Sequence, residues 1–557
     1  MKKPKYIFVL GGVMSGVGKG VTASSIGKIL QARGYRINPI KIDPYLNVDA
    51  GTMNPIEHGE VFVLDSGLEC DQDMGNYERF LDVSVPHENY LTSGTVYKYV
   101  IEKERALGYG GKCVDPVPFI CEEIFRRIDL SVKKTKADIT VIEIGGTVGE
   151  YQNAMFVEAA RVLKLRHPGD VLFVLVSYLP VPSKIGEMKT KPTQAAVQTM
   201  NSYGVHPDII IARADRPLDD KRKEKIAFSS NISPANIISA PDIESIYDIP
   251  LNFEKDKLSS TLLKLLKLPE RQSNLVEWQK MVNRAKAAKT EVRIAIVGKY
   301  FKTGDFVLSD VYLSVIESLK HASNFLGKKV KIDWLDSNDY GSTSSPQVLA
   351  RNLKNLKQYQ GILVPGGFGE RGVEGKIKVI QYARENKIPY LGLCYGMQLA
   401  VIEFARHVLK LKDAHTTEIN SKTKNPVIVI MDEQRQLMAD KNYGGTMRLG
   451  AYPCQLKSGT IAEGAYRAGQ RLLSGGQIEE RHRHRFEVNP AYVERLTRAG
   501  LIFSGTSPDG VLMEIAELPH TKHPFFLGSQ FHPEFKSSPL RPHPLFVEFI
   551  RSASQVK

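Results

Sequence analysis

The sequence predicts an α/β protein of two domains, and three observations carry that prediction. Short runs that are apolar throughout alternate with stretches of helical periodicity, the pattern of a largely parallel sheet with helices on both faces. The pattern restarts once, beyond a polar and basic segment. The chain has 557 residues, more than one ordinary core holds. The first domain, 1–270, carries the runs KYIFVL, RINPIKID, DITVIEIGG, DVLFVLVSYLP and PDIIIAR, and a glycine-rich turn after the first run makes its sheet P-loop-like. Residues 271–290 (RQSNLVEWQKMVNRAKAAKT) read as a linker helix. The second domain, 291–557, restarts with VRIAIVGKY and continues through VKIDWLDS, GILVPGG, IPYLGLC and VIVIMD.

Composition narrows the class. Hydrophobic residues at 42% and charged residues at 24% are ordinary for a soluble globular chain. Five cysteines, odd in number and scattered, argue against a disulfide framework and for a reducing, cytoplasmic compartment. MKKPKYIFVLGG has an apolar run too short for a signal-peptide core, and no stretch approaches a membrane span. A net charge of +14 calls for an anionic partner. Without an aromatic-interleaved basic stripe or finger spacing, nucleotides fit that role better than nucleic acid.

The first run leads into GGVMSGVGKGVTASSIGKIL. Glycines there let backbone N–H groups turn inward on a phosphate, Lys19 adds a point charge, and the following helix contributes its dipole. The match to G-x-x-x-x-G-K-[ST] is imperfect, because Gly20 replaces the hydroxyl that holds magnesium. The metal must then be held elsewhere, and Asp73 and Glu143 are the candidates. Glu143 ends a buried run, where an acid needs a partner.

A second anion site is read from GEMKTKPTQ. Lys189, Thr190 and Lys191 gather donors before a helix, with Lys191 extended because Pro192 follows and Pro192 opening the helix. Lys225, in the charged run DDKRKEK, joins them. Two phosphate-binding stretches in one domain suggest two nucleotides, a phosphoryl donor and an acceptor.

In the second domain Cys394 falls between a short strand (388–393) and a helix (397–407). A thiol on that turn faces helical N–H groups that stabilise a thiolate; a small buried hydrophobe is the plainer reading of a free cysteine. GSQFHPEF supplies His532 and Glu534. The proline makes His532 extended, putting Glu534 on the same side two residues on, where a carboxylate orients the imidazole as a base. The glycine loop VPGGFGERG, around Gly367, offers N–H groups to an oxyanion.

The ordered set GGVMSGVGKG, KIDPYLNVDAGTMNPIEHGEVFVLDSG, GNYERF, IGGTVGE, KTKPTQ, LVPGGFG, CYGMQ, GGTMRLG, ERHRHRFEVN and QFHPEF resembles the CTP synthase family along essentially the whole chain. The resemblance implies an amidoligase domain followed by an α/β, triad-type glutaminase domain. Cys394 would attack L-glutamine, with His532 as base, Glu534 orienting it, and N–H groups of the Gly367 loop and Tyr395 holding the oxyanion. Gly396, Met397, Gln398, Glu418 and Arg485 match glutamine-binding positions. Ammonia would pass Pro55, His58 and Val61. ATP would lie on Gly16, Val17, Gly18, Lys19, Gly20 and Val21, with Pro241, Asp242 and Ile243 near adenine and Mg²⁺ at Asp73 and Glu143. UTP, or the feedback inhibitor CTP, would use Ser15, Lys189, Thr190, Lys191, Pro192, Thr193, Gln194 and Lys225. GTP activation, homotetramers and filaments are further family traits.

Three departures stand out. Tyr395 replaces a common leucine, Glu150-Tyr151-Gln152 replaces an acidic-aliphatic-acidic run, and the segment around Gly304 is longer than usual. The first leaves the backbone donor in place; the others bear on CTP inhibition and GTP activation. Two alternatives keep parts of the pattern. Another amidoligase fused to a glutaminase would lack a reason for KTKPTQ, and a nucleotide-binding filament scaffold would carry a vestigial thiol site.

Overall fold

The computed structural model describes residues 3–184, 186–299, 311–341, 345–430 and 447–556, with the side chains of 55 and 56 excepted, and the backbone of 302–303, 306–307 and 309–310. Compactness divides the chain into two units, Met1–Ala50 with Asp73–Val282, and Gly51–Gln72 with Asn283–Lys557. Among the described residues no helix is long and apolar enough to cross a membrane.

The first unit is a seven-stranded sheet, in the order Tyr90–Thr92, Ile37–Asp43, Ile139–Ile144, Lys5–Gly12, Val171–Tyr178, Ile209–Ala214, Ile237–Pro241. Every pairing is parallel, as the continuously apolar runs predict. Tyr6, Phe8 and Leu10 share one core with Ile120 and Ile124 of helix Pro116–Thr135, Phe156 and Val157 of Ala154–Arg166, and Val197 of Lys191–Ser202. Outside that core, helix Lys19–Ala32 packs on strands Ile37–Asp43 and Ile139–Ile144 and buries Ile26, Ile29 and Leu30. Strand Lys5–Gly12 is central: the chain fills one side of it with Ile37–Asp43, Tyr90–Thr92 and Ile139–Ile144, then crosses to the other side at Val171–Tyr178. Its C-terminal end is therefore the switch point where ligands bind in open α/β sheets.

The second unit has a nine-stranded mixed sheet. Strands Lys329–Asp336, Glu291–Gly298, Gly361–Val364, Tyr390–Leu393 and Phe526–Ser529 run parallel. Met513–Glu517, Ile502–Thr506, Arg448–Leu456 and Gln477–His484 extend it antiparallel. VIVIMD does not join this sheet: strand Asn425–Ile430 belongs to a separate three-stranded one with Ala414–Thr416 and Phe486–Val488.

Residues 51–72, read from sequence as part of a 1–270 domain, group with the second unit. The reason is polar as much as apolar. Arg481 Nε donates to Asp65 Oδ1 at 2.6 Å and Arg483 Nε to Glu69 Oε1 at 2.7 Å. Glu60 accepts from Ser314 N, at the start of helix Leu313–Phe325, where a carboxylate meets unpaired helical N–H groups. The expected linker helix forms over Val276–Ala287.

The second unit also buries a cation at a cost. Lys376, on helix Val373–Glu385, is fully buried 5.4 Å from the Tyr395 ring, and its Nζ has no hydrogen-bond partner among the described residues. Burial, with Lys299 nearby, lowers its pKa from 10.5 to about 7. Above 10.5 both states are neutral; as pH falls towards 7 the unfolded chain takes up a proton that the folded chain does not, and stability drops. Lys376→Met removes that penalty. It is expected to stabilise the second unit by about 2–4 kcal/mol at pH 7, read from denaturant midpoints, with the gain shrinking as pH rises towards about 10.5.

Candidate functional site

The phosphate loop leaves strand Lys5–Gly12 and enters helix Lys19–Ala32 through Gly16 and Gly18, both in the left-handed region. Lys19 folds back over Gly11, whose added Cβ would meet Lys19 Nζ at 2.9 Å. Burial lowers the Lys19 pKa, and Glu143 opposes that shift. A Cβ on Gly20 would stand 2.0 Å from Asp73 Oδ1. The carboxylate thus fills the space a side chain at position 20 would need, which is why glycine stands there. Helix Gln72–Leu81 carries Asp73 in its first turn.

Lys41, which sequence reasoning missed, organises these acids. It is 4% exposed, and its Nζ lies 2.5 Å from Asp73 Oδ2, 2.9 Å from Glu143 Oε1 and 3.7 Å from Asp43 Oδ1. Tyr77 donates its hydroxyl to Glu143. Burial raises the Glu143 pKa, with Asp73 adding to it and Lys41 opposing. For Asp73 burial acts the same way, but Lys41 outweighs it and holds the carboxyl below its usual range. Two carboxylates converging on one cation offer the hard oxygen donors that magnesium takes alongside substrate phosphates.

Arg213 ties the loop to the segment expected near adenine: it donates to Val17 O at 3.3 Å and to Asp242 Oδ1 at 2.6 Å. Pro241 ends strand Ile237–Pro241 and Ile243 follows. Lys189, Thr190, Lys191 and Lys225 line one pocket of about 440 Å³, together with Glu187, Met188, Lys221 and Arg222. Five cations face one carboxylate there, which suits a polyphosphate. The sequence reading of Lys191 is corrected: helix Lys191–Ser202 already includes it, with Pro192 second, so the first helical turn itself presents the donor. Pro192, Thr193 and Gln194 do not line this pocket. Thr193 is buried against Ser177, 2.8 Å between hydroxyls, and Gln194 bonds back to Thr190. Ser15 is exposed on the phosphate loop. Glu150 accepts from Thr147 N and Gln152 Nε2, leaving Tyr151 95% exposed.

In the second unit Cys394 occupies the strand-to-helix turn at φ 49° and ψ −98°, a strained conformation for a non-glycine residue, and its N–H donates to Ser529 O at 2.6 Å. Such strain persists only where the surroundings impose it. They do so here, because Gly396 lies so close to strand Gly361–Val364 that a Cβ would stand 2.2 Å from Val364 O. The adjacent strand, Phe526–Ser529, delivers His532. His532 Nδ1 lies 2.7 Å from Glu534 Oε1, and its ring stacks on Phe535. Glu534 does not arrive by strand alternation, as the sequence suggested; Pro533 starts a 3₁₀ turn, Pro533–Lys536, that brings its carboxylate to Nδ1. Burial opposes a charge on His532, but Glu534 and the Cys394 sulfur outweigh it and raise the pKa to about 10. Its Nε2 is buried without a hydrogen-bond partner, and with the ring protonated through neutral pH it stands as a donor beside the thiol cavity.

Cys394, His532 and Glu534 line one cavity of about 240 Å³ with Gly367, Tyr395, Gln398, Glu418 and Arg485. Gly367 has nothing within 4 Å of an added Cβ, so its side-chain position is open. Glu418 accepts from Gly369 N at 2.8 Å, and burial raises its pKa. Arg485 supplies the opposite charge. Tyr395 donates its hydroxyl to Gly369 O at 3.1 Å, tying the start of the Cys394 helix to the glycine loop. Gly396 and Met397 do not line the cavity; Met397 is fully buried in the core. Val61 and Glu60 do line it. His58 instead lies 3.7 Å from Asp71, and Pro55's side chain falls outside the described residues.

Comparison with known proteins gives the family. The family "CTP synthase N-terminus" matches residues 5–268, and "Glutamine amidotransferase class-I" matches 307–552. A CTP synthase of Pyrococcus furiosus is 50% identical over 99% of this chain and 98% of its own. CTP synthases of Thermococcus gammatolerans (49%) and Symbiobacterium thermophilum (47%) each match across 99% of both chains. A solved Trypanosoma brucei CTPS glutaminase domain with bound acivicin is 37% identical over 47% of this chain and 94% of that one, with a TM-score of 0.41. The chain belongs to the CTP synthase family, enzymes that use ATP and the nitrogen of glutamine to convert UTP to CTP.

Proposed function

We propose that the two sites divide the reaction. In the second unit Cys394 Sγ attacks the side-chain amide carbon of glutamine. The Gly367 loop and Tyr395 N–H groups face the oxyanion, and Glu418 and Arg485 take the ammonium and carboxylate ends. The imidazolium of His532 gives its proton to the departing nitrogen, releasing ammonia and a thioester. His532 then accepts a proton from the water that hydrolyses it. The observation that carries this reading is the single cavity shared by Cys394, His532, Glu534, Glu418 and Arg485.

In the first unit the triphosphate of ATP lies on Gly16–Val21, with Lys19 drawing charge from its terminal phosphate. UTP places its phosphates among Lys189, Lys191 and Lys225, with Lys221 and Arg222 as further donors. Phosphorylation of the uracil 4-oxygen turns a poor leaving group into a good one, and neutral ammonia displaces it. Asp73 and Glu143 would hold magnesium, which when bound neutralises phosphate charge. CTP, carrying the same triphosphate, competes in the lysine pocket. Supported by the family resemblance, GTP is the activator and the assembly a homotetramer able to form filaments; the segment around Gly304 lies outside the described residues. Free cysteines suit the cytoplasm.

The test is direct: purified protein with UTP, ATP and Mg²⁺, given glutamine or an ammonium salt. CTP is expected from both. Product from ammonium alone would overturn the thiol site, and product from neither would overturn the whole reading.

A further inference from the structure

Gln530 sits between the strand that ends at Ser529 and His532, and it is fully buried. Its backbone N–H donates to Glu514 O at 2.8 Å, fixing where the side chain starts. The side chain ends at the nucleophile, with Nε2 lying 3.7 Å from Cys394 Sγ. A chain of hydrogen bonds sets which end of the amide faces the sulfur. The Phe486 carbonyl accepts from Gln398 Nε2 at 2.8 Å, and the same amide group of Gln398 donates to Gln530 Oε1 at 3.2 Å. With its oxygen engaged by a donor, Gln530 can only turn its N–H groups towards the sulfur. On another side the thiol reaches Arg483 O at 3.8 Å, an acceptor. Gln530 is thus the side-chain donor on the reacting atom, while His532 stands ready to exchange protons.

We propose that Gln530 is a catalytic residue of the glutaminase half, its side-chain amide donating to the Cys394 sulfur whenever that sulfur carries negative charge. The inference rests on Cys394 being the nucleophile. Charge resides on sulfur at two points. Before attack, the proton has passed to His532 and the pair is thiolate and imidazolium. In deacylation, water adds to the thioester carbon, the C–S bond breaks, and its electron pair returns to sulfur as the carboxylate product forms. At both points the N–H of Gln530 faces the charge, and hydrogen bonds to charged groups are the strong ones. In the thioester itself sulfur is neutral and the bond weakens. The interaction is therefore stronger where it assists than in the intermediate it must not trap.

The experiment uses the full chain with iodoacetamide as probe. Alkylation of Cys394 is followed by mass spectrometry of its peptide across pH, for the parent, Gln530→Met and Gln530→Glu. The Met variant is expected to raise the midpoint pH of alkylation by about one unit and leave the high-pH plateau unchanged. Glutamine hydrolysis should fall about tenfold in kcat, with KM near the parent value. Gln530→Glu, which also brings a carboxylate to the sulfur, should shift the midpoint further. CTP formation from ammonium should stay at the parent level in both variants, and their unfolding temperatures should match the parent's, reporting an intact fold. An unmoved midpoint in Gln530→Glu, or a lowered plateau with an unmoved midpoint in Gln530→Met, overturns the proposal and leaves Gln530 as packing. If alkylating the parent's Cys394 does not stop glutamine use, the nucleophile assignment itself fails, which is a distinct result.

Discussion

Replacing Cys394 with alanine is expected to abolish CTP formation from glutamine and to spare formation from ammonium. The sulfur is the only atom the substitution removes from the reaction, because an alanine at that position can keep the N–H bond to Ser529 O and the turn imposed by Gly396. Without a nucleophile no thioester forms, and loss of such a member of a triad costs about 10⁴–10⁶-fold in kcat. Ammonium-dependent synthesis should rise with pH as ammonium gives way to ammonia, unchanged from the parent. A companion measurement probes the base. With the His532 pKa at about 10, the imidazolium persists through neutral pH, so hydrolysis of glutamine should hold until the pH nears about 10 and then fall. Glu534→Gln takes away a charge that favours the imidazolium, so the basic limb should move to lower pH. Equal loss from both nitrogen sources in Cys394→Ala would mean the two chemistries cannot be separated.

The features most legible in the sequence were those that burial dictates. Strands covered on both faces must be apolar at every position, and KYIFVL, DITVIEI and DVLFVLVSY announced the parallel sheet of the first unit. The antiparallel half of the second unit's sheet hid itself, because QIEERHRH is charged on both sides and RLGAYPCQL is broken by a glycine and a proline. Those residues are buried by pairing, with Arg481 on Asp65, Arg483 on Glu69, and Arg448 on Glu487 and Glu514. A pattern of hydrophobicity cannot foresee burial that depends on partners hundreds of residues away. The same reason moved residues 51–72 into the second unit. Cys394 and His532 stood out because a strand-to-helix turn and an x-Pro step constrain the backbone locally. Lys41, Arg213 and Gln530 did not, since each acts through a partner that is close in space and distant in sequence; Asp73 and Glu143 lie 32 and 102 residues from Lys41. The gap left by Gly20 in the phosphate motif was a local signal pointing to such a partner, and the Asp73 carboxylate fills it.

Lys41 carries the second large prediction. Its ammonium is the shared counterion of Asp73, Glu143 and Asp43, and Asp43 otherwise leans on the hydroxyls of Tyr45 and Tyr90, at 3.1 and 3.0 Å. Lys41→Met keeps most of the apolar stem and removes the charge. Breaking a buried ion pair from one side costs about 3–5 kcal/mol, because the carboxylates stay behind in low dielectric. The pH dependence has a definite sign. Burial already raises Glu143 and Asp43 above their ordinary values while Lys41 opposes it; without the lysine they rise further. A carboxyl raised in the folded state costs stability above its folded pKa, and the cost disappears as pH falls through that value to the unfolded one. The deficit of Lys41→Met against the parent should therefore be largest at and above neutral pH and close towards about pH 4. CTP formation should be lost with both nitrogen sources, while glutamine hydrolysis in the second unit continues. Magnesium with ATP supplies cations where the ammonium stood, so it should raise the melting temperature of the variant more than that of the parent. A variant as stable as the parent at pH 8, with no added response to Mg²⁺, would mean that the acids around Lys41 neither need its charge nor receive a metal's.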